Sequence, residues 1–273
     1  MQSTADSVEA RGANPMAVVP SYNLLRLQHS FEDIILCIDT DRQMETELKS
    51  VGAKGQGLSR MDSVKQAILL FVHAKLTINP NHRFAFATLG HSATWRQREF
   101  TNDVGKIRAI VAGLAADALY LRSDLTQLFK MAAAETKNSH SQSRTLRVVL
   151  IYCRSSVVPD YPSQWPESQR LFSLDVLYLH DKPGRDNCPQ KVYDALVDAL
   201  ERVSEHEGYI FESGVGLMRV LFRLVCILLS HPQQRCAQDD NHIPKSLTKL
   251  SSSDATPSSA SSLKEDSSIS SYQ

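Results

Sequence analysis

Two carboxylates set close together are the first residues in this chain that could do chemistry. They lie in Cys37-Ile38-Asp39-Thr40-Asp41-Arg42-Gln43, directly after an apolar run. If that run is a central strand, its carboxyl end is where open α/β sheets place ligands. A hard cation there needs oxygens from several loops. The plainer reading is that Asp39 and Asp41 cap or tether loops, as polar residues at strand ends do. Other catalytic patterns are missing. Gly52, Gly55 and Gly57 do not spell a phosphate-binding loop, and Gly214-Val215-Gly216 reads as a turn. The nine histidines form no H-E-x-x-H zinc motif, and no G-x-S-x-G elbow is present. Cys188 lies near Asp186, but the sequence places no histidine to activate it. Arg219 and Arg223, at i and i+4, share one face of a very apolar helix. They read equally as a solvated stripe or as a partner contact. Finally, Leu228-Leu229-Ser230-His231-Pro232-Gln233-Gln234-Arg235-Cys236 carries a Pro-x-x-Arg peptide. Such a peptide offers an extended segment and a forked cation to a groove.

The elements that must position these residues alternate. Asp33 to Asp39 reads as a buried strand, and Met61 to Thr77 has helical spacing. Arg83 to Leu89 and Ala93 to Phe100 read as a strand-turn-strand unit around Gly90-His91-Ser92, antiparallel to one another. Helices follow at about Asn102 to Ala116 and Ser123 to Glu135. Strands are expected at Thr145 to Cys153 and Phe172 to Leu179, then a helix at Gln190 to Ser204. A short strand at Gly208 to Phe211 precedes a last helix at Val215 to Leu229. This order predicts a three-layer α/β fold with a doubly wound, mostly parallel sheet and one antiparallel hairpin strand.

Thirty basic residues balance thirty acidic ones among 273. That balance argues against general nucleic-acid binding, which needs excess cations. Ser251 to Gln273 holds eleven serines in 23 positions. It and the small polar N-terminus are expected to be disordered. The expected organisation is a disordered segment over 1–20, a domain over 21–230, the Pro-x-x-Arg segment over 231–241 and a serine-rich tail over 242–273. Five cysteines with no C-x-x-C spacing suggest a reducing compartment, without a disulfide framework or structural zinc. Cys37, Cys153 and Cys226 fall in apolar runs and are expected in the core. There is no secretory signal, and Val215 to Leu229 is shorter than a membrane span. A soluble, intracellular protein is expected.

The strand, acidic loop, helix and hairpin order resembles the von Willebrand factor A domain. That family binds a divalent ion through D-x-S-x-S at the first strand end, a later Thr and an Asp after a middle strand. Asp39 matches the first position. Asp41 and Gln43 stand at the two serine positions, the later Thr falls near Ser123, and Arg154 follows the middle strand where the family places an Asp. An arginine there repels a cation, so the resemblance is to a degenerate member that binds no metal and needs no cofactor.

Together with Arg83 to Trp95 (RFAFATLGHSATW) and Leu228 to Cys236, this pattern resembles the MERIT-type scaffold family of the BRISC and BRCA-A deubiquitinase complexes. The resemblance covers about Glu32 to Cys236. It implies a non-enzymatic subunit that binds a BRE-type subunit with tandem UEV domains. The same assembly holds an MPN-domain zinc deubiquitinase acting on lysine-sixty-three-linked polyubiquitin and an Abraxas-like MPN scaffold. It further implies work in DNA damage response in nucleus and cytoplasm, with no direct nucleic-acid or membrane contact. Carried over by position, Pro232 and Arg235 enter a UEV groove, flanked by His231 and Gln234. The competing expectation is a metal-dependent ligand-binding von Willebrand A domain of a ubiquitin-receptor or adhesion type.

Overall fold

A computed structural model describes residues 30–48, 58–214 and 218–240. The expected segments 1–20 and 242–273, the loop glycines 52, 55 and 57, and Val215-Gly216 lie outside the described residues.

Continuous apolar runs build the centre of the sheet. β1 (Phe31–Asp39), β6 (Arg144–Tyr152) and β7 (Ser173–Leu179) are buried along almost their whole length. Strands covered on both faces have this composition, rather than an alternating one. β4 (Arg83–Leu89) and β5 (Ala93–Thr101) form the hairpin, and β8 (Ile210–Ser213) is short. The order is β5-β4-β1-β6-β7-β8. All pairings are parallel except β4 with β5. Two short strands, β2 (Glu47–Leu48) and β3 (Leu58–Ser59), pair separately.

The helices cover both faces. α1 (Arg60–Ile78), α2 (Val104–Ala112) and α5 (Met218–Ile227) pack on one side, with Val64, Phe71, Ile107, Leu221 and Val225 facing Leu36, Phe84 and Val149. α3 (Thr126–Ser141) and α4 (Pro189–Val203) pack on the other, where Leu128, Phe129 and Leu196 meet Ile35, Val148 and Val176. Local chemistry sets the boundaries. Ser59 accepts from the Asp62 N–H to start α1, and Asp103 accepts from Gly105 and Lys106 to start α2. α3 begins three residues later than the sequence suggests, because Ser123 and Asp124 are engaged in a bridge to Asp160. Gly208 precedes β8 in a space where a Cβ would sit 2.2 Å from the Leu174 carbonyl oxygen, so no side chain fits.

The three-layer, doubly wound α/β class expected from the sequence, with its antiparallel hairpin strand, is the observed one. Cys37 and Cys153 are in the core, but Cys226 is exposed. Its helix turns Leu221, Leu224, Val225 and Leu228 inward and presents Cys226 on the outer face with Arg219 and Arg223. No helix among the described residues is long and apolar enough to cross a membrane.

Candidate functional site: a sealed crevice and a folded C-terminal segment

The chain reverses its winding direction between β1 and β6, and the crevice at their carboxyl ends is the expected ligand position. Asp39 ends β1, and Arg154 follows β6 by two residues. Both are fully buried. Arg154 Nε donates to the two Asp39 carboxylate oxygens at 3.1 and 3.2 Å, and its Nη2 donates at 2.9 Å. The remaining guanidinium hydrogens reach the carbonyls of Arg122 (2.8 Å), Leu89 and Gly90. The rings of Tyr120 and Tyr152 lie 5.2 and 5.7 Å from the guanidinium carbon. Backbone N–H groups of Asp41 and Cys153 complete the Asp39 carboxylate. Burial pushes that carboxyl above its ordinary range, while Arg154 and these N–H groups pull against it.

The other positions of the expected cation site also gather here. Asp41 is buried and accepts from the Gln43 and Tyr120 N–H groups, so it tethers two loops. Gln43 Oε1 accepts from the Ser155 N–H and hydroxyl at 3.0 and 3.1 Å. Ser123 is buried next to Arg122, and its carbonyl accepts from the Asp160 N–H. Arg60 enters from α1, donating to Asp181 at 2.6 Å and to the Gln43 carbonyl. The carboxylates are thus bonded to donors of the chain itself. Among the described residues no cluster of three or more His, Cys, Asp or Glu side chains has metal-site geometry.

At the opposite end of the sheet lies an ionic network that no spacing in the sequence announces. Arg147, fully buried on β6, donates to Asp175 at 2.6 Å, to Glu32 at 3.2 Å and to the Leu228 carbonyl at 2.7 Å. Lys75 of α1 pairs with Glu32 and reaches the Leu229 carbonyl. Two interior cations therefore satisfy the free carbonyls after α5. Burial opposes ionisation of Glu32 and Asp175. Arg147 overcomes it, with Lys75 at the first and Arg235 at the second, and holds both carboxyls below the usual carboxylate range. Asp33, one residue on, accepts from Arg83, Arg144 and Ser139.

This network also captures the C-terminal motif. The sequence makes residues 231–241 an exposed, extended peptide, whereas the structure folds residues 231–240 across the end of the sheet, from the Ser30 carbonyl, bonded by His231 Nε2, to the Ile210 backbone of β8. His231 and Pro232 are buried, and Pro232–Gln234 forms a 3-10 turn. The Arg235 side chain is fully buried, with a bidentate pair to Asp175 at 2.6 and 3.0 Å. Its guanidinium stacks 4.3 Å from the Tyr209 ring centre and donates to the Glu207 carbonyl. Gln238 then bonds the Ile210 N–H and carbonyl, both at 2.7 Å. The reason for the difference is a buried carboxylate on β7 that demands a second cation. Gln234 stays exposed, as do Arg219 and Arg223.

No family model matches the chain. It is similar to "BRISC and BRCA1-A complex member 1" of Xenopus tropicalis, 25% identical over 216 residues, which are 75% of this chain and 66% of that protein. The Xenopus laevis protein of the same name is 25% identical over 216 residues, covering 75% and 64%. The chain thus spans just under two thirds of the length of these relatives. Among solved structures, the SpRpn10 VWA domain aligns with a TM-score of 0.47 and 15% identity, over 71% of this chain and 95% of that one.

Proposed function

We propose that this chain belongs to the MERIT-type family and is a non-catalytic scaffold subunit of a BRISC/BRCA-A-type deubiquitinase assembly. Its direct partner is the BRE-type subunit with tandem UEV domains. The MPN-domain zinc deubiquitinase that cleaves lysine-sixty-three-linked polyubiquitin, and the Abraxas-like scaffold, belong to the same assembly, in nucleus and cytoplasm. The similarity over three quarters of the chain supports this reading. The observation that carries it is the Arg154–Asp39 pair, because a crevice sealed by the chain's own guanidinium leaves surface contact as the way to act.

The contact surface in this proposal is preformed. His231 at the Ser30 carbonyl and Arg235 at Asp175 of β7 fix the C-terminal segment across the end of the sheet, with Pro232 buried between them, while Gln234, Arg219 and Arg223 face outward. A rigid patch loses little conformational entropy on docking. Co-expression with the BRE-type subunit tests the proposal. Stable co-elution is expected, with binding weakened about tenfold or more by Arg219→Glu combined with Arg223→Glu. Failure of the parent chain to co-elute would overturn the assignment.

A further inference from the structure

A groove of about 680 Å³ runs between α4 and the C-terminal segment along β8. Its floor is apolar, formed by Val197, Leu200 and Ile210. Its rim is acidic, carrying Glu201, Glu205, Glu207 and Asp239, with no Lys or Arg in the lining and one imidazole, His206, 3.6 Å from Glu205. We propose that this groove is a docking site for a basic, apolar-anchored peptide segment of a partner protein, a surface separate from the contact proposed above.

Charge complementarity selects the occupant. The segment that forms one wall turns its cation, Arg235, inward to Asp175 and leaves Asp239 and Asp240 outside. Glu201 and Asp239 have no ion-pair partner among the described residues. Burial and the carboxylates of Glu212, Asp239 and Asp194 raise the phenol of Tyr193, which also lines the groove. The field in this concavity is therefore negative, and low-dielectric walls concentrate it. An apolar floor adds what charge alone does not, a place to bury an aliphatic side chain between two cationic ones. The edge strand is occupied at Ile210 by Gln238, so recognition runs through side chains rather than strand addition.

The test is fluorescence anisotropy on the full chain. The probe is a fluorescein-labelled peptide alternating arginine or lysine with leucine and isoleucine, and its counterpart has glutamate at the basic positions. Saturable binding of the basic peptide alone is expected. It should weaken about tenfold or more in the Glu201→Gln, Glu205→Gln, Asp239→Asn variant, at unchanged melting temperature. The matched variant Glu45→Gln, Glu99→Gln, Asp186→Asn, elsewhere on the surface, should bind as the parent does. Equal losses in the two variants, or no saturable binding, would overturn the proposal. The chain also has a basic stretch of its own in Ile243-Pro244-Lys245-Ser246-Leu247-Thr248-Lys249-Leu250. A gain of about tenfold in Lys245→Glu, Lys249→Glu would name that stretch as occupant and overturn a partner in trans.

Discussion

Arg154 and Asp39 form an ion pair with no solvent access, in which one guanidinium makes three contacts of 2.9–3.2 Å with one carboxylate. Removing one partner of such a pair leaves the other buried and uncompensated. Arg154→Met should therefore lower the free energy of unfolding by about 3–5 kcal/mol in urea titrations. Adding Asp39→Asn to that variant should restore part of the loss, since the orphaned charge is then gone. A pair of additive losses would mean that the two side chains do not act together.

The same pair predicts the response to divalent ions. A ligand stabilises a fold only by binding it preferentially. With Asp39 bonded to Arg154 and Asp41 bonded to backbone N–H groups, about 10 mM magnesium or calcium should move the melting midpoint by less than about 1 °C. A midpoint that climbs steadily with ion concentration would restore the metal-dependent reading.

His82 makes stability depend on pH on the acid side of neutrality. Its Nδ1 accepts the Glu32 N–H at 3.0 Å, so the buried ring is held neutral. Burial first, then Lys75, depresses its pKa to about 4, with His231 and Arg144 adding and Glu32 opposing. The unfolded chain protonates near pH 6.5, before the folded one does. Stability is therefore complete above that pH and falls between about 6.5 and 4, by at most about 3 kcal/mol. Glu32, Asp33 and Asp175, all held low, extend the loss further into acid. His82→Gln should flatten the upper part of this profile in denaturation curves taken at successive pH values.

Arg235 anchors the C-terminal segment, so its replacement acts on the fold. On an exposed, extended segment Arg235→Ala would be a clean binding variant. With Asp175 keeping only Arg147 and the Tyr209 N–H, the variant should instead lose about 2–4 kcal/mol of stability. Arg235→Lys retains the charge but not the fork, and should fall between the two. Calorimetry distinguishes these outcomes, and an unchanged melting point for Arg235→Ala would contradict the buried geometry.

Most of the architecture is written in local pattern. The apolar runs of β1, β6 and β7 and the periodicity of α1 and α4 are strong signals, and Gly90-His91-Ser92 marks the hairpin. The crevice residues were legible as well, because Asp39 and Arg154 fall at strand ends. The ionic network was harder to see, since pairing across the sheet leaves no mark at fixed spacing. Its signal is a charge inside an apolar strand: Glu32 and Asp33 in FEDIILCID, Arg147 in RTLRVVLIY, Asp175 in SLDVLYL. Charges there must be paired: Arg147 meets Glu32 and Asp175 across three adjacent strands, and Asp33 meets Arg144 at the start of β6. The folding of the tail is hidden for the same reason, because the partner of Arg235 lies 60 residues earlier.

Arg147 leaves β6 to hold the carbonyls that follow α5, and Asp175 on β7 waits for Arg235. These matches join the middle of the polypeptide to residues well downstream of it. Until Arg235 emerges, the nascent sheet carries an incompletely neutralised interior and an uncovered apolar face. Assembly of this domain thus waits for its own C-terminal segment, and a chain stalled upstream of α5 would be a substrate for chaperones rather than a half-finished native structure.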